Sequence, residues 1–227
     1  LPANVFLYGV NDIFNADIDA ENPKKDDREV RYRGGRIVPW LVAFAGALGL
    51  AFLPVLPTVS AAGMVVFVLL SIEYSAPPLR FKTTPFLDSA SNGLYVLPGV
   101  VAYGALAGHA PPIAAVAGGW LWAMGMHTFS AIPDIDPDRA AGIETTATRL
   151  GETRTYGYCA VCWLAAAIIF ATVHPFFGVV LGIYPLFVLG IAATGIDADR
   201  AYWWFPALNT AVGAALTLGA LWVMLYG

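Results

Sequence analysis

The chain has 227 residues, of which 58% are hydrophobic and only 12% are charged. A soluble domain carries about a quarter charged residues, so this composition excludes an ordinary soluble enzyme and predicts an all-α integral membrane protein. The formal net charge of −4 is small, and no basic patch is interleaved with aromatic residues. We therefore expect no nucleic-acid partner.

The first ten residues are largely apolar and lead into a polar motif that begins at Asn11. Spanning a bilayer takes about 20 apolar residues, so we expect 1–10 to be only the end of a helix, in a chain that lacks its N-terminal part. Seven longer apolar segments follow, at 37–56, 58–74, 87–106, 113–132, 156–173, 176–196 and 202–226. No linker interrupts the series, so we expect 1–227 to form a single transmembrane domain.

All twelve Lys and Arg residues lie in four of the connections between these segments. Six lie in 20–36, two in the connection after 74, three in the connection after 132 and one in the connection after 196. Successive charged connections are separated by two apolar segments, so all four fall on the same side of the membrane. The positive-inside rule makes that side cytoplasmic, which predicts a multi-pass protein of the cell membrane.

The first acidic motif reads Asn-Asp-Ile-Phe-Asn-Ala-Asp-Ile-Asp and occupies 11–19. If the helix continues through it, Asp12, Asn15 and Asp19 share one face, whereas Asp17 points elsewhere. Oxygen atoms on one face are suitable ligands for a hard divalent cation such as Mg2+. A solvated acidic loop at the membrane surface is the alternative interpretation.

The second acidic motif reads Asp-Ile-Asp-Pro-Asp and occupies 134–138. On a helix, Asp134 and Asp138 share a face and form a second pair of candidate Mg2+ ligands. Mg2+ prefers to complete its shell with phosphate oxygens. Because carboxylates are costly in hydrocarbon, two such motifs on one side of the membrane predict a shared cavity mouth that binds a diphosphate.

Basic partners for a diphosphate occur in the segment Tyr-Ser-Ala-Pro-Pro-Leu-Arg-Phe-Lys at 74–82. Arg80 and Lys82 would neutralise the charge that develops as the diphosphate leaves. Anchoring of a cytoplasmic loop is the alternative role for both residues. Arg139 is a weaker candidate, and Asn92 either caps a helix or reaches the diphosphate.

These motifs together resemble those of the UbiA superfamily of intramembrane prenyltransferases. The family's first motif reads Asn-Asp-x-x-Asp-x-x-x-Asp and its second reads Asp-x-x-x-Asp, and the segments at 74–82 and 138–151 are similar as well. The resemblance covers nearly the whole chain. It implies nine transmembrane helices around a central cavity, of which this chain would lack the first and much of the second. Asn15 departs from the pattern by replacing an aspartate, and Asp17 is the alternative ligand.

The resemblance implies a role for each candidate residue. The catalytic residues would be Asp12, Asp19, Asp134 and Asp138, which together with Asn15 would also bind Mg2+. The substrate-binding residues would be Asn11, Tyr74, Arg80, Lys82, Asn92 and Arg139. The implied reaction is ionisation of an isoprenyl diphosphate, followed by attack of a hydrophobic acceptor from the lipid bilayer on the allylic cation. His127 either accepts a proton from the product cation or is a packed polar residue.

Two sequences are most similar to those of the carotenoid branch of the family. They are the first motif and the segment Phe-Ser-Ala-Ile-Pro-Asp-Ile at 129–135. The enzymes of that branch are lycopene elongases, which add C5 units from dimethylallyl diphosphate. This similarity implies a carotenoid acceptor such as lycopene, with an aromatic quinone precursor as the alternative within the family. A divalent-cation transporter is the alternative from another class, but it would place acids near the bilayer midplane rather than at helix ends.

Overall fold

The computed structural model describes residues 2–20, 32 and 34–226, apart from the side chains of 17–20, 199 and 223. Every regular element in this described part is a helix, which confirms the predicted all-α class. The chain divides into two compact units, Leu1–Pro111 and Pro112–Gly227, here called unit 1 and unit 2.

Unit 1 carries the first acidic motif and the segment at 74–82. Its α-helices within the described residues are α1 Pro2–Ala20, α2 Ile37–Ala51, α3 Thr58–Ser75, α4 Leu87–Ser91 and α5 Leu97–Ala107. Helix α1 packs against α2 and α3, and α3 also packs against α5. Helix α1 continues through the whole first motif, so the predicted helical geometry of that motif is confirmed.

Close packing of α1 against α2 depends on glycines that face larger side chains. A Cβ atom on Gly9 of α1 would collide with the Val42 side chain, and one on Gly46 of α2 would lie 2.7 Å from Phe6. Small residues let apolar helices approach closely in a membrane, where lipid gives no hydrophobic drive for association. This contact fixes the helix that carries the first motif.

The predicted apolar segment at 87–106 is broken rather than continuous. A 3₁₀ turn at Asn92–Val96 separates α4 from α5. The Ser91 hydroxyl donates to the Leu87 carbonyl over 2.6 Å, and the Asn92 amide donates to the Asp88 carbonyl over 2.6 Å. Such side chains compete with the regular helix ladder, and hydropathy does not register that competition.

Unit 2 carries the second acidic motif. Its α-helices within the described residues are α6 Ile113–Ser130, α7 Ile135–Ala140, α8 Thr146–Leu150, α9 Glu152–Val173, α10 Pro175–Leu181, α11 Ile183–Thr194 and α12 Ala198–Tyr226. Helix α9 packs against α6, α10 and α11. The core of the unit is an aromatic cluster in which Phe129, Trp163, Tyr184 and Phe205 are nearly inaccessible to solvent.

The predicted segment at 176–196 is also interrupted, because α10 ends before Gly182 and α11 begins after it. Helix α10 begins at Pro175, and the His174 ring accepts a hydrogen bond from the Phe176 amide over 3.2 Å. A proline in the first turn and a side-chain acceptor before it are typical of a helix N-terminus. The last helix begins at Ala198, earlier than the predicted 202.

Five helical stretches of the described part are long and apolar enough to cross a membrane. They are Ile37–Val55, Thr58–Ser75, Glu152–Val173, Pro175–Thr194 and Arg200–Tyr226. These stretches agree with five of the seven predicted segments. The chain is therefore a multi-pass membrane protein, as the composition predicts.

The contact between α6 and α9 gives a test of the packing in unit 2. A Cβ atom on Gly125 would lie 2.6 Å from Nε1 of Trp163, which donates to the Trp122 carbonyl over 3.2 Å. We expect Gly125→Val to destabilise the protein by about 1–3 kcal/mol through overpacking. Thermal unfolding in detergent measures the effect. The matched control is Gly157→Val on α9, where no atom lies within 4 Å of an added Cβ. Equal unfolding temperatures for the two variants would contradict the packing.

Candidate functional site

The first motif presents its polar side chains from consecutive turns of α1. Asn15 is buried, with 2% of its surface exposed, and its amide donates to Oδ1 of Asn11 over 2.7 Å. Asn11 and Asp12 are half-buried. The predicted metal and catalytic residue Asp19 lies in α1, but its side chain is outside the described residues, as is that of Asp17. The basic residues Lys24, Lys25, Arg28, Arg31 and Arg33 of the following connection are also outside them.

Arg80 reaches the middle of the first motif from the connection after α3. Its Nη2 donates to the Phe14 carbonyl over 3.1 Å and to Oδ1 of Asn15 over a longer 3.5 Å. Its Nε is buried without a hydrogen-bond partner among the described atoms. A guanidinium has five N–H donors, so a side chain held in this way still has donors for an anion. The sequence did not predict the contact between Arg80 and Asn15.

The backbone around Arg80 is strained. Arg80 has a φ of 42° and Phe86 a φ of 68°, both in the left-handed region that non-glycine residues rarely adopt. Between them, the Thr83 hydroxyl donates to the Arg80 carbonyl over 3.1 Å, and Lys82 lies in a 3₁₀ turn at Phe81–Thr83. Non-glycine residues with such backbone angles persist where surrounding contacts enforce them, and they cluster at functional sites.

Tyr74 and Asn92, two of the predicted substrate-binding residues, are brought together in unit 1. Their side chains are hydrogen-bonded, and the Asn92 amide also donates to the Asp88 carbonyl over 2.6 Å. Asn92 therefore links the end of α3 to the start of the broken helix. The sequence left Asn92 with two possible roles. These contacts give it a structural one, and its contact with the diphosphate stays a prediction.

Asp88 and Tyr8 also lie in this part of unit 1, and neither was singled out from the sequence. Asp88 is buried, with 1% of its surface exposed. The Tyr95 hydroxyl donates to that of Tyr8 over 3.4 Å. An acidic residue at the start of an apolar segment was the signal for Asp88, because such a residue is costly to bury without partners. Nothing in the spacing of Tyr8 marked it.

The second motif spans the junction between a 3₁₀ turn at Ile132–Asp134 and helix α7. Asp134 occupies the N-cap position of α7, and Asp138 follows one turn later. Both are half-buried, whereas the side chain of Asp136 is 95% exposed and lies 3.9 Å from Arg139. Ile135 is buried and attaches the helix to the core. The predicted pairing of Asp134 with Asp138 as metal ligands stays a prediction.

Arg139 has a structural contact that the sequence did not reveal. Its Nε and Nη2 donate to the Thr148 carbonyl over 3.2 Å and 2.7 Å. Thr148 belongs to α8, where its side chain and that of Thr145 form a capping box. A basic side chain on a late carbonyl is a common way to end a helix. Arg139 therefore fastens α7 to α8, and its predicted contact with substrate stays a prediction.

The donor chemistry of both motifs fits a magnesium ion. Carboxylate and amide oxygens are hard ligands, and Mg2+ is usually held by one or two carboxylates together with waters and substrate phosphates. Among the side chains that the structure describes, no three His, Cys, Asp or Glu residues form a compact cluster of ligands. Asp134 and Asp138 supply two carboxylates, which is the number that commonly holds Mg2+ when substrate phosphates complete its shell.

The solved structures most useful for comparison are UbiA homologues from two archaea. An apo structure from Aeropyrum pernix K1 has a TM-score of 0.73 at 22% identity, covering 96% of this chain and 86% of that one. A structure from Archaeoglobus fulgidus bound to GPP and Mg2+ has a TM-score of 0.69 at 19% identity, covering 92% and 81%. At these identities the likeness shows the fold, and it confirms the predicted UbiA-type membrane bundle.

Relatives of known name are much more similar in sequence. A lycopene elongase/hydratase of Haloarcula japonica is 65% identical over all of this chain and 78% of its own length. One of Halobacterium salinarum is 58% identical over all of this chain and 82% of its own length. The model of the UbiA prenyltransferase family matches residues 1–211. The chain therefore belongs to the UbiA prenyltransferase family, within its carotenoid branch, and is a membrane-embedded prenyltransferase.

Proposed function

We propose that the enzyme transfers a C5 prenyl group from dimethylallyl diphosphate to the end of an acyclic carotenoid such as lycopene. The observation that carries this proposal is the 65% identity, over the whole chain, to a relative named lycopene elongase/hydratase. Relatives from Haloferax volcanii and Halobacterium salinarum, at 61% and 58% identity, carry the same name. The Archaeoglobus fulgidus homologue bound to DMAPP and Mg2+ supports the proposed donor, at 20% identity.

Mg2+ is the proposed cofactor. In the second motif Asp134 and Asp138 would hold Mg2+, and in the first motif Asp12 and Asp19 would do so. Bound there, it would supply Lewis-acid assistance to the departing diphosphate. The half-buried position of Asp134 and Asp138 supports this assignment, because a carboxylate partly removed from water binds a cation more strongly than an exposed one does.

The proposed role of the first motif differs between its residues. Asn15 is a predicted metal ligand, yet its oxygen accepts from Arg80 and its amide donates to Asn11. When no metal is bound, Asn15 would position Asn11 and Arg80. Its side-chain oxygen would have a second role as a metal ligand. Asp12 and Asp19 then provide the charge of the motif.

The diphosphate would be bound by residues that can donate hydrogen bonds. Those proposed are Asn11, Tyr74, Arg80, Lys82, Asn92 and Arg139. Arg80 is the best supported in unit 1, because its buried Nε has no acceptor among the described atoms. A bound phosphate oxygen would provide one, and charge-assisted hydrogen bonds of this kind strengthen as the leaving group gains charge.

Two outcomes are open to the tertiary cation that forms when the acceptor attacks the prenyl group. It loses a proton, which restores an alkene, or it binds water, and the resulting oxonium ion then loses a proton to give an alcohol. The relatives' name, elongase/hydratase, pairs elongation with hydration. An alkene acceptor has no acidic hydroxyl to activate, so the attack needs no strong base near the acceptor carbon. His127 on α6 is the proposed proton acceptor for the first outcome, with the departing diphosphate as the alternative.

Within the second motif, Asp136 serves as a control for substitutions of Asp134 and Asp138. We expect Asp134→Asn and Asp138→Asn each to lower prenyl transfer by at least about a hundredfold, because a charged ligand that acts on the leaving group is removed. Asp136→Asn, which neutralises the exposed carboxylate between them, should keep activity within about threefold of wild type. Activity is followed with purified complete enzyme as Mg2+ is titrated. Full activity in both the Asp134 and the Asp138 variants would exclude the metal assignment.

Substitutions of Asn15 test whether the protein's stability depends on the hydrogen bonds of this side chain or only on its volume. We expect Asn15→Leu, which keeps a similar volume, to destabilise the protein by about 1–3 kcal/mol because Asn11 and Arg80 lose a buried partner. Asn15→Asp should be tolerated, since a carboxylate can accept from Arg80, and it should tighten Mg2+ binding by adding charge. Thermal unfolding and magnesium titration of activity measure the two effects. A fully stable Asn15→Leu protein would show that the hydrogen bonds of Asn15 are dispensable.

Two parallel assays test which chemical class of acceptor the enzyme prenylates. Purified complete enzyme receives dimethylallyl diphosphate and Mg2+ with either lycopene or 4-hydroxybenzoate, and products are separated by mass. We expect a carotenoid extended by C5, with or without added water. Product from the aromatic acid alone would replace this proposal with the quinone-precursor alternative.

A further inference from the structure

Unit 2 contains a large, partly open cavity that the reaction described so far does not use. Its volume is about 690 Å³. The residues that line it come from α6, α9, α10, α11 and α12, and α12 provides more than half of them. Trp122, Tyr184, Asn209 and Gly213 are among them. A cavity of this size is typical of small-molecule sites, which range over about 300–1,000 Å³.

The lining is suited to a hydrocarbon rather than to a polar ligand. None of the described residues that line the cavity is charged. The Tyr184 hydroxyl, one of its few polar groups, already donates its proton to Oδ1 of Asn209 over 2.8 Å. A carboxylate would enter this space without a cationic partner, which is costly in a medium of low dielectric constant. An aromatic acid is therefore a poor fit, and an unsubstituted polyene is a good one.

The position of the cavity along α6 indicates how long such a ligand must be. Trp122 lines the cavity, and Asp134 of the second motif follows twelve residues later. Helix α6 ends at Ser130, eight residues after Trp122 and just before the 3₁₀ turn that includes Asp134. At 1.5 Å per helical residue, the helical part of this separation is about 12 Å along the axis. A ligand that reacts near the second motif and also fills the cavity must be an extended chain. A single benzoate ring is too short, whereas a carotenoid is long enough.

We propose that this cavity binds the unreactive part of the polyene acceptor while its end is prenylated. The inference rests on the proposed function, since it takes a carotenoid as the acceptor. Binding energy from a remote part of a substrate can hold the reacting end in place, which raises the rate at the reaction centre. The cavity would thus distinguish long acyclic acceptors from short or polar ones.

Two glycines give a matched pair of variants. Gly213 of α12 lines the cavity, and an added Cβ there has no atom within 4 Å, so a larger side chain grows into open space. Gly190 of α11 also has no atom within 4 Å of an added Cβ, but it does not line the cavity. Gly213→Leu therefore fills the site, whereas Gly190→Leu makes the same change elsewhere in the unit. Gly213→Ala is a milder version of the first.

The experiment measures lycopene binding without requiring turnover. Purified complete enzyme in detergent is titrated with lycopene, and the circular dichroism that the protein induces in the visible carotenoid bands reports binding. We expect Gly213→Leu to weaken binding by at least about tenfold, the usual effect of a misfitting side chain in an apolar pocket. Gly213→Ala should have a smaller effect in the same direction. Gly190→Leu should stay within about twofold of wild type, and Mg2+-dependent binding of dimethylallyl diphosphate should be equal in all four proteins.

Each other outcome has a distinct meaning. Wild-type affinity in Gly213→Leu would overturn the inference. So would loss of bound phospholipid in Gly213→Leu with unchanged lycopene affinity, because the cavity would then hold a lipid acyl chain. An equal loss in Gly190→Leu would also overturn it, since the effect would not come from the cavity. A wild-type enzyme that neither binds nor elongates lycopene would instead reject the proposed function itself. If Gly213→Leu unfolds, as far-ultraviolet circular dichroism would show, unchanged affinity in Gly213→Ala overturns the inference.

Discussion

Hydrocarbon provides no hydrogen-bond partners, and this constraint determines where the polar chemistry of the chain lies. A buried polar group that lacks its partner costs about 1–3 kcal/mol, and a charge costs more. Regular helices satisfy their own backbone, so the interior of the membrane is crossed by apolar helices alone. The acids of the two motifs stand instead in the later turns of α1 and in the turn and short helix that follow α6.

Two arginines donate to backbone carbonyl groups of helices, one within α1 and one near the C-terminal end of α8. Arg80 donates to the Phe14 carbonyl in unit 1, and Arg139 donates twice to the Thr148 carbonyl in unit 2. The sequence associates both arginines with an anionic substrate. The structure shows that each first holds backbone next to an acidic motif. Because a guanidinium has five donors in a fixed plane, it can fulfil a structural role and still bind a phosphate oxygen.

Local periodicity and hydropathy predicted much of the architecture. Spacing alone predicted the pairing of Asp134 with Asp138, and the exposed side chain of Asp136 differs from these two half-buried carboxylates. The family resemblance identified the fold and the class of enzyme. The helix breaks at Asn92 and Gly182 were missed because hydropathy averages over a window, whereas each break depends on one or two residues. The contact between Arg80 and Asn15 joins residues 65 apart, and no spacing rule predicts such a tertiary contact.

The replacement of an acid by Asn15 also changes how the site responds to salt. With an aspartate at this position, Arg80 would be held by an ion pair, and dissolved ions would weaken that pair through the partly exposed guanidinium. The amide of Asn15 presents a dipole to Arg80 instead, at 3.5 Å and in a buried position. A contact between a charge and a neutral group is screened less than a pair of opposite charges. The first motif can therefore keep its geometry over a wide range of ionic strength, at the cost of one negative charge for binding a cation.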